Sequence, residues 1–211
     1  SCARKANIVY SKCMSQTIRY EIAAPTWSTK AKRFGYSDAY VGFFDTRVRA
    51  TGSVLDVGAG TGTFSLSWIK AGGSKEITLL DPSRAMLEQA RLHFDHIGLH
   101  PTITHSAFES FQSATKFDAI LASHVVEHFE DPHVAFAKFA ELLSPGGRLY
   151  LTVSKPHWCN WLIWLRFRHR WFRPEVVAEL ARDAGLINFK LHKFLSGPPS
   201  RTSYGYVFTK P

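Results

Sequence analysis

Asp56, Gly58, Gly60 and Gly62 stand at alternate positions directly after the apolar pair Val54-Leu55, and a second aspartate, Asp81, closes the next apolar run, Ile77-Thr78-Leu79-Leu80, 25 residues after Asp56. Glycine has no Cβ, so the chain through 58–62 can turn with φ > 0 and let a flat ligand lie close to bare backbone. Thr63-Phe64-Ser65-Leu66-Ser67-Trp68-Ile69 reads as the opening of a helix whose first N–H groups point at that ligand. A carboxylate at the end of the second strand of a strand-helix-strand unit is placed to accept both hydroxyls of a ribose. Together these residues spell nucleoside binding.

The elements that must position them narrow the ligand. A dinucleotide fingerprint requires glycine at position 63, which is Thr63, and a P-loop requires lysine after its last glycine, where Thr63-Phe64 stand. The remaining pattern, D-x-G-x-G-x-G over Asp56–Gly62, resembles the first motif of class I S-adenosylmethionine-dependent methyltransferases. Asp81-Pro82-Ser83-Arg84-Ala85-Met86-Leu87 resembles that family's D-x-S-x-x-M-L segment. Phe117-Asp118-Ala119-Ile120 resembles its fourth-strand motif, and Leu142-Leu143-Ser144-Pro145-Gly146-Gly147 the turn that feeds its fifth strand. Four motifs in order, from Val54 to Leu151, make the chain similar to this family, and most similar to its ubiquinone/menaquinone-type small-molecule members.

The resemblance implies a Rossmann-like α/β fold: a seven-stranded, mostly parallel sheet with a C-terminal antiparallel hairpin and helices on both faces. It implies S-adenosylmethionine as methyl donor, S-adenosylhomocysteine as product, and no metal. Asp56, Gly58, Ala59, Gly60 and Gly62 would hold the methionine part and shape the turn. Asp81 and Pro82 would serve the ribose, Met86, Ser106, Ala107 and Phe108 the adenine, and Ser123 and His124 the methyl end. One position departs from the pattern: Ser106 stands where an aspartate usually holds the adenine amino group, so that contact is weaker or passes to a backbone carbonyl.

His124-Val125-Val126-Glu127-His128 matches H-x-x-E-H, which in inverted zinc peptidases sets both histidines on one helical face. Its context argues against zinc, because it starts at the end of a strand and is followed by Asp131-Pro132. The same letters resemble the family's E-H-x-x-D-P segment. Imidazole near neutral pH is the usual general base for a hydroxyl or amine acceptor, so His128 and His124 are the catalytic candidates. Transfer by alignment alone, with the histidines as caps, is the alternative.

The chain of 211 residues divides into a lead-in with cofactor-covering helices, 1–50, and a methyltransferase domain, 51–211. Tyr36 and Tyr40, four apart, could share one helical face over the methyl donor or simply pack on the sheet. Residues 156–173 hold four of the six tryptophans, with Arg166, His169, Arg170 and Arg173 clustered on one side. This segment reads as a substrate lid, with Trp158 and Trp161 joining Tyr36 and Tyr40 as acceptor contacts. A peripheral membrane contact through 158–173 is the alternative. Pro174–Leu186 reads as a helix, followed by strands at Asn188–Leu195 and Tyr204–Thr209 joined through Ser196-Gly197-Pro198-Pro199.

Charge is uneven. Residues 1–50 carry nine basic and three acidic side chains, 51–150 seven and eleven, and 151–211 ten and three. Basic flanks suit an anionic acceptor, an anionic membrane or RNA, or serve only solubility. The expected acceptor is a small or lipid-like molecule, with O-, N- or C-methylation left open. An RNA methyltransferase lacks its N-P-P-Y type motif here, where Ala122-Ser123-His124-Val125 stand, and a non-catalytic SAM-binding protein rests on Ser106 alone. Three cysteines without metal spacing (Cys2, Cys13, Cys159), no long apolar run and no leader-like start suit the cytoplasm. Oligomeric state is not encoded in any of these features.

Overall fold

Alternation along the strands sends side chains to two separate cores. Leu55 and Val57, Ile120 and Ala122, and Leu149, Leu151 and Val153 belong to one buried cluster, while their neighbours Val54, Ala119, Leu121 and Tyr150 belong to another. A strand apolar at every position is a strand covered on both faces, which is the signature of a parallel sheet between helical layers.

The computed structural model describes residues 35–44, 47–48, 52–156, 170–195 and 197–211. Within them the order is α1 (Tyr36–Phe44), β1 (Val54–Val57), α2 (Thr63–Lys70), β2 (Ile77–Asp81), α3 (Arg84–Asp95), β3 (Thr102–His105), β4 (Phe117–Ser123), α4 (Pro132–Leu142), β5 (Leu143–Ser154), α5 (Pro174–Asp183), β6 (Ile187–Lys193), α6 (Gly197–Thr202) and β7 (Ser203–Thr209). The seven strands form one sheet in the order β3-β2-β1-β4-β5-β7-β6. All pairs from β3 to β5 are parallel, and β7 runs antiparallel to both β5 and β6. This is the architecture the resemblance implies. Strand order reverses beside β1, so the carboxyl ends of β1, β2 and β4 open onto one crevice.

Helices α1, α2 and α3 cover one face through Tyr40, Phe43, Phe44, Phe64, Trp68, Leu87, Ala90 and Phe94. Helices α4 and α5 cover the other through Phe136, Phe139, Leu142, Val177 and Leu180. Each large buried ring contributes about 1.5–3 kcal/mol. Local chemistry sets the helix starts: Ser83 Oγ accepts the N–H of Met86, and Asp131 accepts those of His133 and Val134 with Pro132 in the first turn.

The connection between the last two strands holds an element the sequence reading does not name: residues Gly197–Thr202 form the short helix α6, with Pro198 and Pro199 in its first turn, where a missing N–H costs nothing. Among the described residues no helix is long and apolar enough to cross a membrane.

Candidate cofactor and acceptor site

The turn after β1 holds three glycines with φ of 67°, 53° and 78° at Gly58, Gly60 and Gly62. A Cβ on Gly58 would lie 2.8 Å from Val125 Cγ2 and one on Gly62 2.9 Å from Phe94 Cε2, but one on Gly60 would meet nothing within 4 Å. The outer two glycines are therefore required by packing, while the middle one faces open space. Gly58 and Ala59 donate their N–H groups to the carbonyl of Leu80, which fastens the turn to the end of β2.

Asp81 clamps this turn to the next. Its Oδ2 accepts the N–H of Gly60 and its Oδ1 that of Ser83, each at 2.8 Å. Burial, partly offset by these two N–H groups and by nearby His105, leaves its carboxyl above the ordinary value. Each oxygen keeps a second lone pair for another donor.

Asp56 lies fully buried beneath the turn. Its Oδ2 accepts the hydroxyl of Ser65 at 2.6 Å, while Oδ1 has no hydrogen-bond partner among the described residues. Burial, opposed by Ser65 and reinforced by Asp81, pushes its carboxyl up to about 7. A buried acceptor left unsatisfied costs about 1–3 kcal/mol. An ammonium donor reaching that oxygen would relieve the cost, so the residues fit the amino-acid end of S-adenosylmethionine.

On the adenine side the parts are differently occupied. Pro82 is exposed, and its carbonyl meets His105 Nε2 at 3.0 Å. Met86 is buried beside its cap. Ser106 hangs its N–H on the carbonyl of Asp81 and turns its hydroxyl proton to the carbonyl of Ala107 at 3.0 Å, which leaves only oxygen lone pairs outward. The Phe108 ring packs in the core, 4.8 Å from Phe139 and 5.4 Å from Phe129 between centroids, so any ligand contact there falls to its backbone.

At the end of β4 two polar chains flank one histidine. Ser123 Oγ lies 2.9 Å from Tyr40 Oη and 2.8 Å from Thr152 Oγ1. His124 has a left-handed φ of 53°. Its Nδ1 stands 3.1 Å from Glu127 Oε1 and 3.2 Å from Ser154 Oγ, and its Nε2 stands 3.3 Å from Ser203 Oγ. Tyr36 packs edge-on at 5.9 Å from Tyr40 and 6.3 Å from His124, and its hydroxyl bonds Thr202. The two tyrosines thus lie side by side, with the Tyr40 ring packed in the core over the sheet, 4.8 Å from Phe64.

The histidines do not share a helical face. The turn after β4 is a 3-10 turn confined to Val126–His128, and His124 lies outside it in left-handed backbone. The long helix that H-x-x-E-H requires begins only at Pro132, because Asp131 caps it there. No cluster of three metal-ligating side chains occurs among the described residues. His128 is half-buried, and its charge acts on Glu127. Trp158 and Trp161 lie outside the described residues. A groove of about 350 Å³ at the opposite end of the parallel strands, lined by Ser53, Thr78 and Thr102 among others, contains none of the candidate site residues.

Glu127, Thr152, Ser154 and Ser203 were not singled out from sequence as site residues. Only Glu127 carried a signal, as a letter of the motif around the histidines. The others arrive through strand pairing, which sets Ser154 opposite Ser203.

The fold and the crevice define a class: a Rossmann-like methyltransferase of class I. The comparisons agree. A methyltransferase domain family matches residues 30–192, and the chain belongs to it. The ubiquinone biosynthesis O-methyltransferase of Aromatoleum aromaticum is 31% identical over 149 residues, which are 63% of this chain and 63% of that protein, so the chain spans less than two thirds of this relative. A SAM-dependent methyltransferase of Thermotoga maritima superposes with a TM-score of 0.73 at 18% identity, covering 93% of this chain and all of that one. The N-methyltransferase NodS of Bradyrhizobium japonicum WM9, solved with S-adenosyl-L-homocysteine, superposes with a TM-score of 0.67 at 18% identity, covering 84% of this chain and 88% of that one.

Proposed function

We propose that this chain binds S-adenosylmethionine in the crevice beyond β1 and β2 and transfers its methyl group to a hydroxyl of a small or lipid-like acceptor. The observation that carries the reading is the Asp81 carboxylate, which joins the glycine turn to the Ser83 turn at 2.8 Å on either side and retains lone pairs for a ribose. Asp56 Oδ1 would take the ammonium, and Ser106 with the backbone of Ala107 and Phe108 the adenine.

Bound there, S-adenosylmethionine supplies a methyl group activated by its sulfonium. The chain's own contribution is placement: the crevice holds donor and acceptor in line, and alignment supplies much of the rate of such a displacement. A hydroxyl also has a proton to lose, and His124 at the end of β4 is the group placed to hold it. The relatives' printed names as O-methyltransferases support oxygen as the acceptor atom.

Calorimetric titration with S-adenosylhomocysteine tests the donor half, with micromolar binding expected and no detectable heat fatal. A methyl-donor consumption screen over phenols, quinols, amines and phospholipids tests the acceptor half. Turnover of amines alone would overturn oxygen as the acceptor.

A further inference from the structure

Glu127 is a buried acid at the acceptor corner to which methyl transfer itself assigns no part. It is 3% exposed. Its Oε1 accepts the N–H of Ser154 at 2.7 Å and faces His124 Nδ1 at 3.1 Å, while its Oε2 has no hydrogen-bond partner among the described residues. A buried carboxylate is costly unless something compensates it, and an amide would serve the Ser154 N–H equally well. Burial works to raise this carboxyl, but the hydrogen bond and charge of His124, the charge of His128 and the N–H of Ser154 outweigh it and hold it at about 2. Glu127 is thus an anion at neutral pH.

An anion at Nδ1 decides which ring nitrogen carries hydrogen. Nδ1 must donate, which leaves the lone pair on Nε2. Nε2 meets Ser203 Oγ at the long distance of 3.3 Å, and that hydroxyl also lies 3.2 Å from Thr202 Oγ1. The row Glu127, His124, Ser203 has the order of a hydrolytic triad, but Ser203 is closed to solvent, whereas the His124 side chain is 26% exposed. The accessible member of the row is the base.

We propose that Glu127 is a positioning residue that holds His124 in the Nδ1–H tautomer and supplies the counter-charge when Nε2 takes the acceptor's proton. The first half is a property of the folded chain, and the second rests on the methyl-transfer reading. As the acceptor's O–H bond breaks, its proton passes to Nε2 and its electron pair forms the new O–CH3 bond, while the C–S pair returns to sulfur. Positive charge is lost at sulfur and gained on an imidazole 3.1 Å from Glu127. Among the described residues, the titratable groups facing the pair are Tyr36 and Tyr40 from α1, His128 from the same turn and Tyr206 from β7.

Nitrogen-15 histidine NMR reads the tautomer directly, with the His124 signals assigned by their loss in His124→Gln. At slightly alkaline pH the wild type is expected to show Nδ1–H, and Glu127→Gln a mixed or Nε2–H ring, with S-adenosylhomocysteine affinity within about threefold of wild type. An Nε2–H ring in the wild type overturns the proposal, as does an unchanged Nδ1–H ring in Glu127→Gln. If Glu127→Gln does not fold, the wild-type tautomer still decides. An Nδ1–H wild type that fails to bind S-adenosylhomocysteine would remove the methyl-transfer reading and leave the hold of Glu127 on His124 standing.

Discussion

Val125 occupies the space that a side chain on Gly58 would need, with its Cγ2 2.8 Å from the position of a Cβ there. The glycine turn after β1 and the turn that carries His124 are therefore in direct contact. Gly58→Ala combines a φ of 67° with that overlap, and a loss of about 2–4 kcal/mol in urea denaturation is expected. Adding Val125→Ala should restore the part due to overlap and leave the part due to backbone strain.

Asp81 serves two N–H donors with two oxygens, an arrangement an amide cannot repeat. In Asp81→Asn the N–H facing the amide nitrogen loses its partner, and the ribose loses a charged acceptor. S-adenosylhomocysteine affinity should fall 10- to 100-fold by calorimetry, or about 1.4–2.8 kcal/mol.

Asp56 makes stability depend on pH. Its folded carboxyl sits at about 7, above the unfolded value near 4, so its contribution is complete below the unfolded value and is lost as pH rises through about 7. The thermal midpoint of the unliganded chain should decline between pH 5 and pH 8, and Asp56→Asn should flatten this decline. Titrations at pH 6 in buffers of different ionisation enthalpy should show proton release on binding, because an ammonium at Oδ1 favours the charged carboxylate.

Gly205 on β7 lies against Phe43 of α1. A Cβ there would lie 2.6 Å from Phe43 Cε2, so Gly205→Ala should cost about 1–3 kcal/mol, with partial rescue by Phe43→Leu.

The turn at 58–62 and its tie to position 81 were legible in the chain because backbone geometry dictates their letters: three residues of the turn have φ > 0, which glycine adopts most readily, and only an acid at 81 can accept from both loops. The sheet followed from the same motifs, since each marks a strand end. The acceptor corner was legible only in part. His124 could be named, but its left-handed backbone and its carboxylate depend on where a 3-10 turn stops, and no letter pattern marks that. Ser154 and Ser203 are ordinary residues in sequence, and they acquire a role only because β7 pairs antiparallel with β5. Helix α6 was not legible for a local reason, as consecutive prolines suit both a loop and the first turn of a helix.

The bond from Phe172 N–H to the carbonyl of Ser154 brings the chain back to the point it had just left. The last residues of β5 are thus gripped twice, by β7 along one flank and by the returning backbone at Phe172, so fraying of the strand end beside His124 is opposed from both sides.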